Sequence, residues 1–263
     1  ASPWFYVPSR KAQPRLRLFC FPYAGGRPGI FRSWSDRLPH SVELCAITLP
    51  GRSVRDHEVP QSDIFSLAGE LADAIGQRSD ARFAFFGHSM GAIVAFEVAR
   101  ILEGHGRAPA QLVALAARPP QVPRADAEAL HEYPRDRLVA ALRMRGGLPE
   151  EALRDDEILD MLVPVVRADF ALLAAHPTVD AGRGLACAVV AAGGDDDRAV
   201  PTETLRRWSE LSATEAEVHV FAGGHFFYRS HMTALAELTA RRLTAPVASC
   251  PSPPAALAGR SVA

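Results

Sequence analysis

Six short, almost unbroken apolar runs separated by stretches of helical character constrain the fold most. They are Leu16–Phe21 (LRLFCF), Val42–Leu49 (VELCAITL), Phe83–Phe86, Leu112–Ala117, Leu185–Ala192 and Val218–Phe221. A strand with one wet face alternates apolar and polar residues, whereas continuous apolarity marks strands buried on both faces, as in a parallel sheet covered by helices. The intervening segments supply those helices. Ser62–Ile75 opens on Ser62 and Asp63, good N-cap chemistry, and keeps Ile64, Leu67, Leu71 and Ile75 on one face. Met90–Leu102 runs to Gly104 and Gly106, which suit a left-handed C-terminal cap. Phe31–Leu38, Thr202–Leu211 and Thr233–Leu243 read as further helices. The expected class is α/β, with an open, mostly parallel central sheet flanked by helices.

Residues 118–183 break the alternation. The stretch contains no strand-like run and is punctuated by Pro119, Pro120, Pro123, Pro134, Pro149, Pro164 and Pro177. Asp126–Leu130, Arg135–Met144, Asp156–Leu162 and Val165–Ala175 read as helices. This is a helical insertion between two strands, placed to cover a pocket at the carboxyl edge of the sheet, where open α/β sheets bind ligands. Residues 1–244 are expected to form one domain, with 118–183 as its lid. Residues 245–263, rich in Pro, Ala and Ser, are expected to be a disordered tail.

Composition excludes several classes. With 29 basic and 30 acidic residues the net charge is -1, so there is no general electrostatic drive toward nucleic acid. No apolar run approaches the ~20 residues of a membrane helix. The N-terminal segment carries Arg10, Lys11, Arg15 and Arg17 without a following apolar core, so no secretory signal is expected. Cys20, Cys45, Cys187 and Cys250 lie far apart, with neither zinc-ligand spacing nor a disulfide framework. A cytoplasmic monomer without metal or cofactor is expected.

The chemistry concentrates in Gly87-His88-Ser89-Met90-Gly91, directly after one strand-like run and directly before a helical one. In that context G-x-S-x-G is a nucleophile elbow, a tight strand-to-helix turn that lifts the serine hydroxyl above the sheet. Flanking side chains would meet neighbouring backbone, hence the glycines. The Met90 N–H, at the helix N-terminus, points toward an oxyanion formed by attack on a carbonyl. A serine needs a base and the base an orienting acid, in the chain order Ser, acid, His for this arrangement. Gly193-Gly194-Asp195-Asp196-Asp197 follows one apolar run and Ala222-Gly223-Gly224-His225 follows the next. His225 is therefore the expected base. Asp197 is the expected acid, on the spacing Gly194, Asp197, Val200, with Asp195 and Asp196 as alternatives. A second oxyanion donor is expected in Phe21–Gly26 (FPYAGG), with the Ala24 N–H first and Tyr23 next. These readings lead to a serine hydrolase of carbonyl compounds and do not separate thioesters from oxoesters.

The chain resembles the stand-alone type II thioesterases of polyketide and nonribosomal peptide synthesis, members of the α/β-hydrolase superfamily. The likeness rests on FCFPYAGG (Phe19–Gly26), LPGR (Leu49–Arg52) with Arg55 and Glu58, FFGHSMGA (Phe85–Ala92), VRADF (Val166–Phe170), Trp208 and FAGGHFFY (Phe221–Tyr228). The resemblance implies an α/β-hydrolase fold with a mobile lid. It also implies an acyl or peptidyl carrier protein bearing a phosphopantetheine-linked acyl group as partner, and an editing role in which stalled acyl groups are hydrolysed. The competing expectations are a carboxylesterase or lipase on the same fold, a non-catalytic acyl-binding relative, and acyl transfer to an alcohol. An acidic carrier would favour arginines near the pocket mouth, for which Arg124, Arg135, Arg137, Arg143 and Arg145 are candidates.

Overall fold

The computed structural model describes residues 2–78, 81–123, 129–147, 151–180, 182 and 184–244. Seven strands, β1 (Phe5–Tyr6), β2 (Leu16–Phe21), β3 (Val42–Ile47), β4 (Arg82–His88), β5 (Gln111–Leu115), β6 (Ala188–Gly194) and β7 (Ala216–Phe221), form one sheet in the order β1-β3-β2-β4-β5-β6-β7. All neighbours run parallel except β1, which lies antiparallel on β3. The six expected runs each hold a strand, with shifted ends. Thr48 and Leu49 have left β3, and the Leu185 end of its run forms only an isolated bridge to Ser212 before β6 begins.

Both faces of the central strands β2 to β6 are covered, which is why these strands are mainly apolar. Phe19, Phe21, Cys45, Ile47, Phe83 and Phe85 pack on one side against α2 (Ile64–Gly76) and α3 (Met90–Gly104). Leu18, Cys20, Leu44, Ala46, Ala84 and Phe86 face the other side, where Trp34 of α1 (Arg32–Ser35) and Leu235 of α7 (Met232–Thr244) lie. Asp63 caps α2 by accepting from the Phe65 N–H, as its sequence position suggests. Gly106, at φ +74°, takes the left-handed conformation just past α3. The expected helix at Phe31–Leu38 is shorter: a 3-10 turn over Pro28–Phe31 precedes four residues of α1. The expected helix at Thr202–Leu211 divides into α6 (Thr202–Arg206) and a 3-10 turn to Leu211.

The insertion between β5 and β6 holds α4 (Arg135–Arg145) and α5 (Asp156–Ala175). Its described residues contain no strand. Two helices expected at Asp156–Leu162 and Val165–Ala175 are one continuous helix, with Pro164 inside it. A proline removes one helical hydrogen bond, but its fixed φ is helical. Here Leu159, Val163, Val166 and Leu172 are all buried on a continuous apolar face that holds the helix together. Leu130, Leu138, Leu142, Leu153, Leu159 and Val166 form a cluster separate from the two sheet cores, so the insertion packs partly on itself. The expected helix Asp126–Leu130 and the tail 245–263 lie almost or wholly outside the described residues.

Chain direction sets the place of the site. After β3 the chain passes back over β2 to form β4, so the loops following β2 and β4 meet at the carboxyl edge. That is the topological position at which open α/β sheets hold ligands. The contact is intimate: a Cβ on Gly91 would lie 2.2 Å from the Phe21 carbonyl oxygen.

Candidate active site

Ser89 sits between β4 and α3 at φ 54°, ψ -116°, a conformation that L-residues rarely adopt. The two flanking glycines make the turn possible. A Cβ on Gly87 would fall 2.4 Å from the Ala92 Cα, and one on Gly91 would strike the end of β2. The strained elbow expected from the motif is therefore the observed geometry, and its strain is held by packing on both sides.

The carboxyl ends of β4, β6 and β7 bring three side chains into one line. His225 Nε2 lies 3.0 Å from Ser89 Oγ, and His225 Nδ1 lies 2.8 Å from Asp197 Oδ2. A carboxylate only accepts, so Nδ1 carries the hydrogen and Nε2 is left to accept the serine hydroxyl. Asp197 is 5% exposed, and its Oδ1 accepts from the Ala199 and Val200 N–H groups at 2.9 and 3.2 Å. Its two neighbours are placed differently. Asp195 and Asp196 are exposed, and Asp195 Oδ1 accepts from the Gly223 N–H at 2.9 Å, bracing the acid loop against the histidine loop.

The Tyr23–Gly26 loop closes the other side. The Gly26 N–H donates to the Tyr23 carbonyl at 2.7 Å and the Gly25 N–H to Asp169 Oδ2 at 2.7 Å. Of the loop's last three amides, this leaves the Ala24 N–H without an acceptor among the described residues. Ala24, Ser89, Met90 and His225 all line a cavity of about 520 Å³ beneath the insertion, walled by Ile93, Leu142, Val166, Phe170, Leu173 and Phe226. The cavity thus joins the polar line at Ser89 to an apolar chamber.

His88, inside the elbow, is 2% exposed and surrounded by the rings of Tyr23, His225, Phe226 and Tyr228. Its Nε2 donates to the His225 carbonyl at 3.0 Å, fixing the backbone of the residue that faces Ser89. Burial, reinforced by the nearby His225, holds the His88 imidazole well below its usual range, so it stays neutral. Burial likewise pushes the Tyr228 phenol up to about 12. The sign of the His88 effect is definite. Its folded value is depressed, so below about pH 6.5 the unfolded chain binds a proton that the native site excludes. Stability should fall with acidity at up to about 1.4 kcal/mol per pH unit from this group. Urea midpoints at pH 7.5 and 5.5 should show that loss in the wild type and a smaller one in His88→Gln; equal slopes would refute it.

Other contacts were not readable from spacing. Arg52 and Asp169, more than a hundred positions apart, form a buried two-pronged ion pair at 2.7 and 3.0 Å. Both belong to motifs of the family resemblance, LPGR and VRADF, which flagged the positions but not the contact. Arg55 pairs with Glu58 at 2.5 Å and lies over the Trp4 ring. Tyr23 Oη donates to the Gly147 carbonyl at 3.3 Å, and Arg229 donates to the Gly146 and Gly147 carbonyls, tying the end of α4 to the core. Of the arginines expected near the pocket mouth, Arg145 lines the cavity, Arg135 is paired with Asp156 and Asp160, and Arg124 lies outside the described residues.

A family model described as a thioesterase domain matches residues 16–243. The chain belongs to the thioesterase family. Its members act as hydrolases on thioesters, and the seven-stranded sheet is that of the α/β hydrolases. The thioesterase is 34% identical over 241 residues to the gramicidin S biosynthesis protein GrsT of Aneurinibacillus migulanus, covering 91% of this chain and 93% of that protein. Among solved structures, the type II thioesterase BorB from the borrelidin biosynthetic cluster superposes with a TM-score of 0.85 at 32% identity, covering 91% of this chain and 97% of BorB. RedJ, the thioesterase of the prodiginine pathway in Streptomyces coelicolor, gives 0.82 at 30% identity over 90% of each chain. Among the described residues of this thioesterase, no helix is long and apolar enough to cross a membrane.

Proposed function

We propose that this thioesterase is an editing enzyme that hydrolyses acyl groups from the phosphopantetheine arm of carrier proteins in polyketide or nonribosomal peptide synthesis. The observation that carries the reading is the hydrogen-bonded line Ser89–His225–Asp197 opening on an apolar chamber in a chain of this family. Relatives named for such biosynthetic pathways support the choice of substrate.

In this reading Ser89 Oγ attacks the thioester carbonyl while His225 Nε2 takes its proton. Asp197 holds the imidazole in the required tautomer and stabilises its charged form. The oxyanion is held by the Met90 N–H, at the positive end of α3, and by the Ala24 N–H. His225 returns the proton to the leaving pantetheine sulfur. Water then attacks the acyl-enzyme, with His225 again as base, and the acid departs as Ser89 is reprotonated. Residues 118–183 act as the lid, and the apolar wall they build accepts the acyl chain. In this reading the enzyme works as a monomer without cofactor, in the cytoplasm beside its carrier proteins.

The test compares a short acyl group on a holo carrier protein with the matched nitrophenyl oxoester. A strong preference in kcat/KM for the carrier thioester is expected. Dominant oxoester turnover, indifferent to the carrier, would replace this reading with that of an esterase.

A further inference from the structure

The ion pair between Arg52 and Asp169 reaches the reacting centre through the backbone. Asp169 lies on α5 in the insertion, and Arg52 lies just beyond β3 in the core. Both side chains are almost wholly buried, at 2% and 3% exposure. Asp169 Oδ2 takes two donors, Arg52 Nη1 at 3.0 Å and the Gly25 N–H at 2.7 Å. Arg52 Nη1 also donates to the Gly26 carbonyl at 3.2 Å. The peptides on both sides of the Gly25–Gly26 link are therefore gripped by one ion pair. The same face of α5 presses on Gly25 itself. Leu162, Val166 and Asp169 are spaced four and three residues apart and so share that face. A Cβ on Gly25, which has φ +77°, would lie 2.7 Å from Val166 Cγ2.

We infer that Asp169 is a positioning residue for the oxyanion hole. By holding the peptide that follows Ala24 it fixes the direction of the Ala24 N–H, so the hole is complete only while α5 of the lid is seated. The inference rests on the proposed role of Ala24. The lid then does more than cover the chamber, since α5 also supplies a strut for transition-state stabilisation. Lid opening that displaces α5 would release Gly25 and turn the hole off. Opening that moves only α4 and its neighbours would leave it intact.

The strut acts on charge developing at the carbonyl oxygen and hardly on the resting substrate. Asp169→Leu, which leaves no oxygen to accept from the Gly25 N–H, is therefore expected to lower kcat about 10-fold, a fraction of the ~10²- to 10³-fold that follows loss of a whole donor, with KM almost unchanged. Two probes separate this from general loosening. An alkyl boronic acid forms a tetrahedral adduct on Ser89 and should lose affinity by a factor close to the loss in kcat. A thioether analogue with CH₂ in place of the carbonyl fills the chamber without an oxyanion and should bind as before. Because Asp169→Leu leaves Arg52 buried without its carboxylate, the double variant Arg52→Met/Asp169→Leu, which has no buried charge, is measured alongside. It should remain slow and weak for the boronate even where its melting temperature matches the wild type. Wild-type kcat and boronate affinity in either folded variant, or equal weakening of both probes, would overturn the inference. Failure of the proposed function would look different: the wild type would favour the free oxoester over the carrier-bound thioester while the boronate still formed its adduct at Ser89.

Discussion

Replacing Ser89 by alanine is expected to lower kcat for an acyl thioester by about 10⁴- to 10⁶-fold, with the melting temperature almost unchanged. The size of the effect follows from the single line of hydrogen bonds. Ser89 Oγ is the atom to which His225 Nε2 is directed, at 3.0 Å. Removing it leaves only the polarising amides and the chamber, which cannot form a covalent intermediate. Stability should hardly respond, because alanine keeps the Cβ and the same backbone demand at φ 54°, and Ser89 is an elbow residue with little buried side chain to lose. Mass spectrometry supplies the second readout: acyl-enzyme accumulates on a slow substrate in the wild type and is absent from Ser89→Ala. Turnover within a few-fold of wild type would remove Ser89 from the chemistry.

Asp197→Asn should lower kcat by about 10⁴-fold, whereas Asp195→Asn and Asp196→Asn should change it by no more than about twofold, the range usual for surface substitutions. The reason lies in which oxygen is already committed. Asp197 Oδ1 accepts two backbone N–H groups, from Ala199 and Val200. An asparagine would keep its carbonyl oxygen there and turn its NH₂ toward His225. The imidazole Nδ1 would then have to accept, placing its hydrogen on Nε2, where it can no longer take the serine proton. Asp195→Asn retains an oxygen for the Gly223 N–H, so the brace it forms survives. A comparable loss in all three variants would mean that the acidic loop acts by charge alone, against the assignment to Asp197.

Much of this architecture was legible in local patterns. Continuous apolar runs announce strands with two covered faces, and the odd and even residues of β2 and β3 do face separate cores. The elbow was legible because its glycines have a steric cause that no other residue satisfies. What local pattern could not supply was distance along the chain. β1 is two residues long and owes its existence to β3 beside it, so no periodicity marks it. Pro164 reads as a helix boundary in isolation, yet burial of Leu159, Val163 and Val166 carries α5 straight through it. The Arg52–Asp169 pair joins residues 117 positions apart, and no spacing rule reaches that far. The choice of Asp197 among three consecutive aspartates could be argued from spacing, but the differing burial that separates them exists only once β6 and β7 lie side by side.

The position of β7 at the rim of the sheet has a kinetic consequence. β4, which leads into Ser89, has a strand on each side, whereas β7, which leads into His225, is hydrogen-bonded to β6 alone and is half-exposed, Val220 at 41%. Rim strands exchange their amide hydrogens by partial opening, at lower free energy than global unfolding. The imidazole is therefore carried by one of the two rim strands, and inactivation on warming is expected as a separate, earlier event than loss of the central strands. An enzyme built this way is expected to lose activity reversibly while most of its ellipticity remains, with its working temperature set by an edge strand rather than by its core.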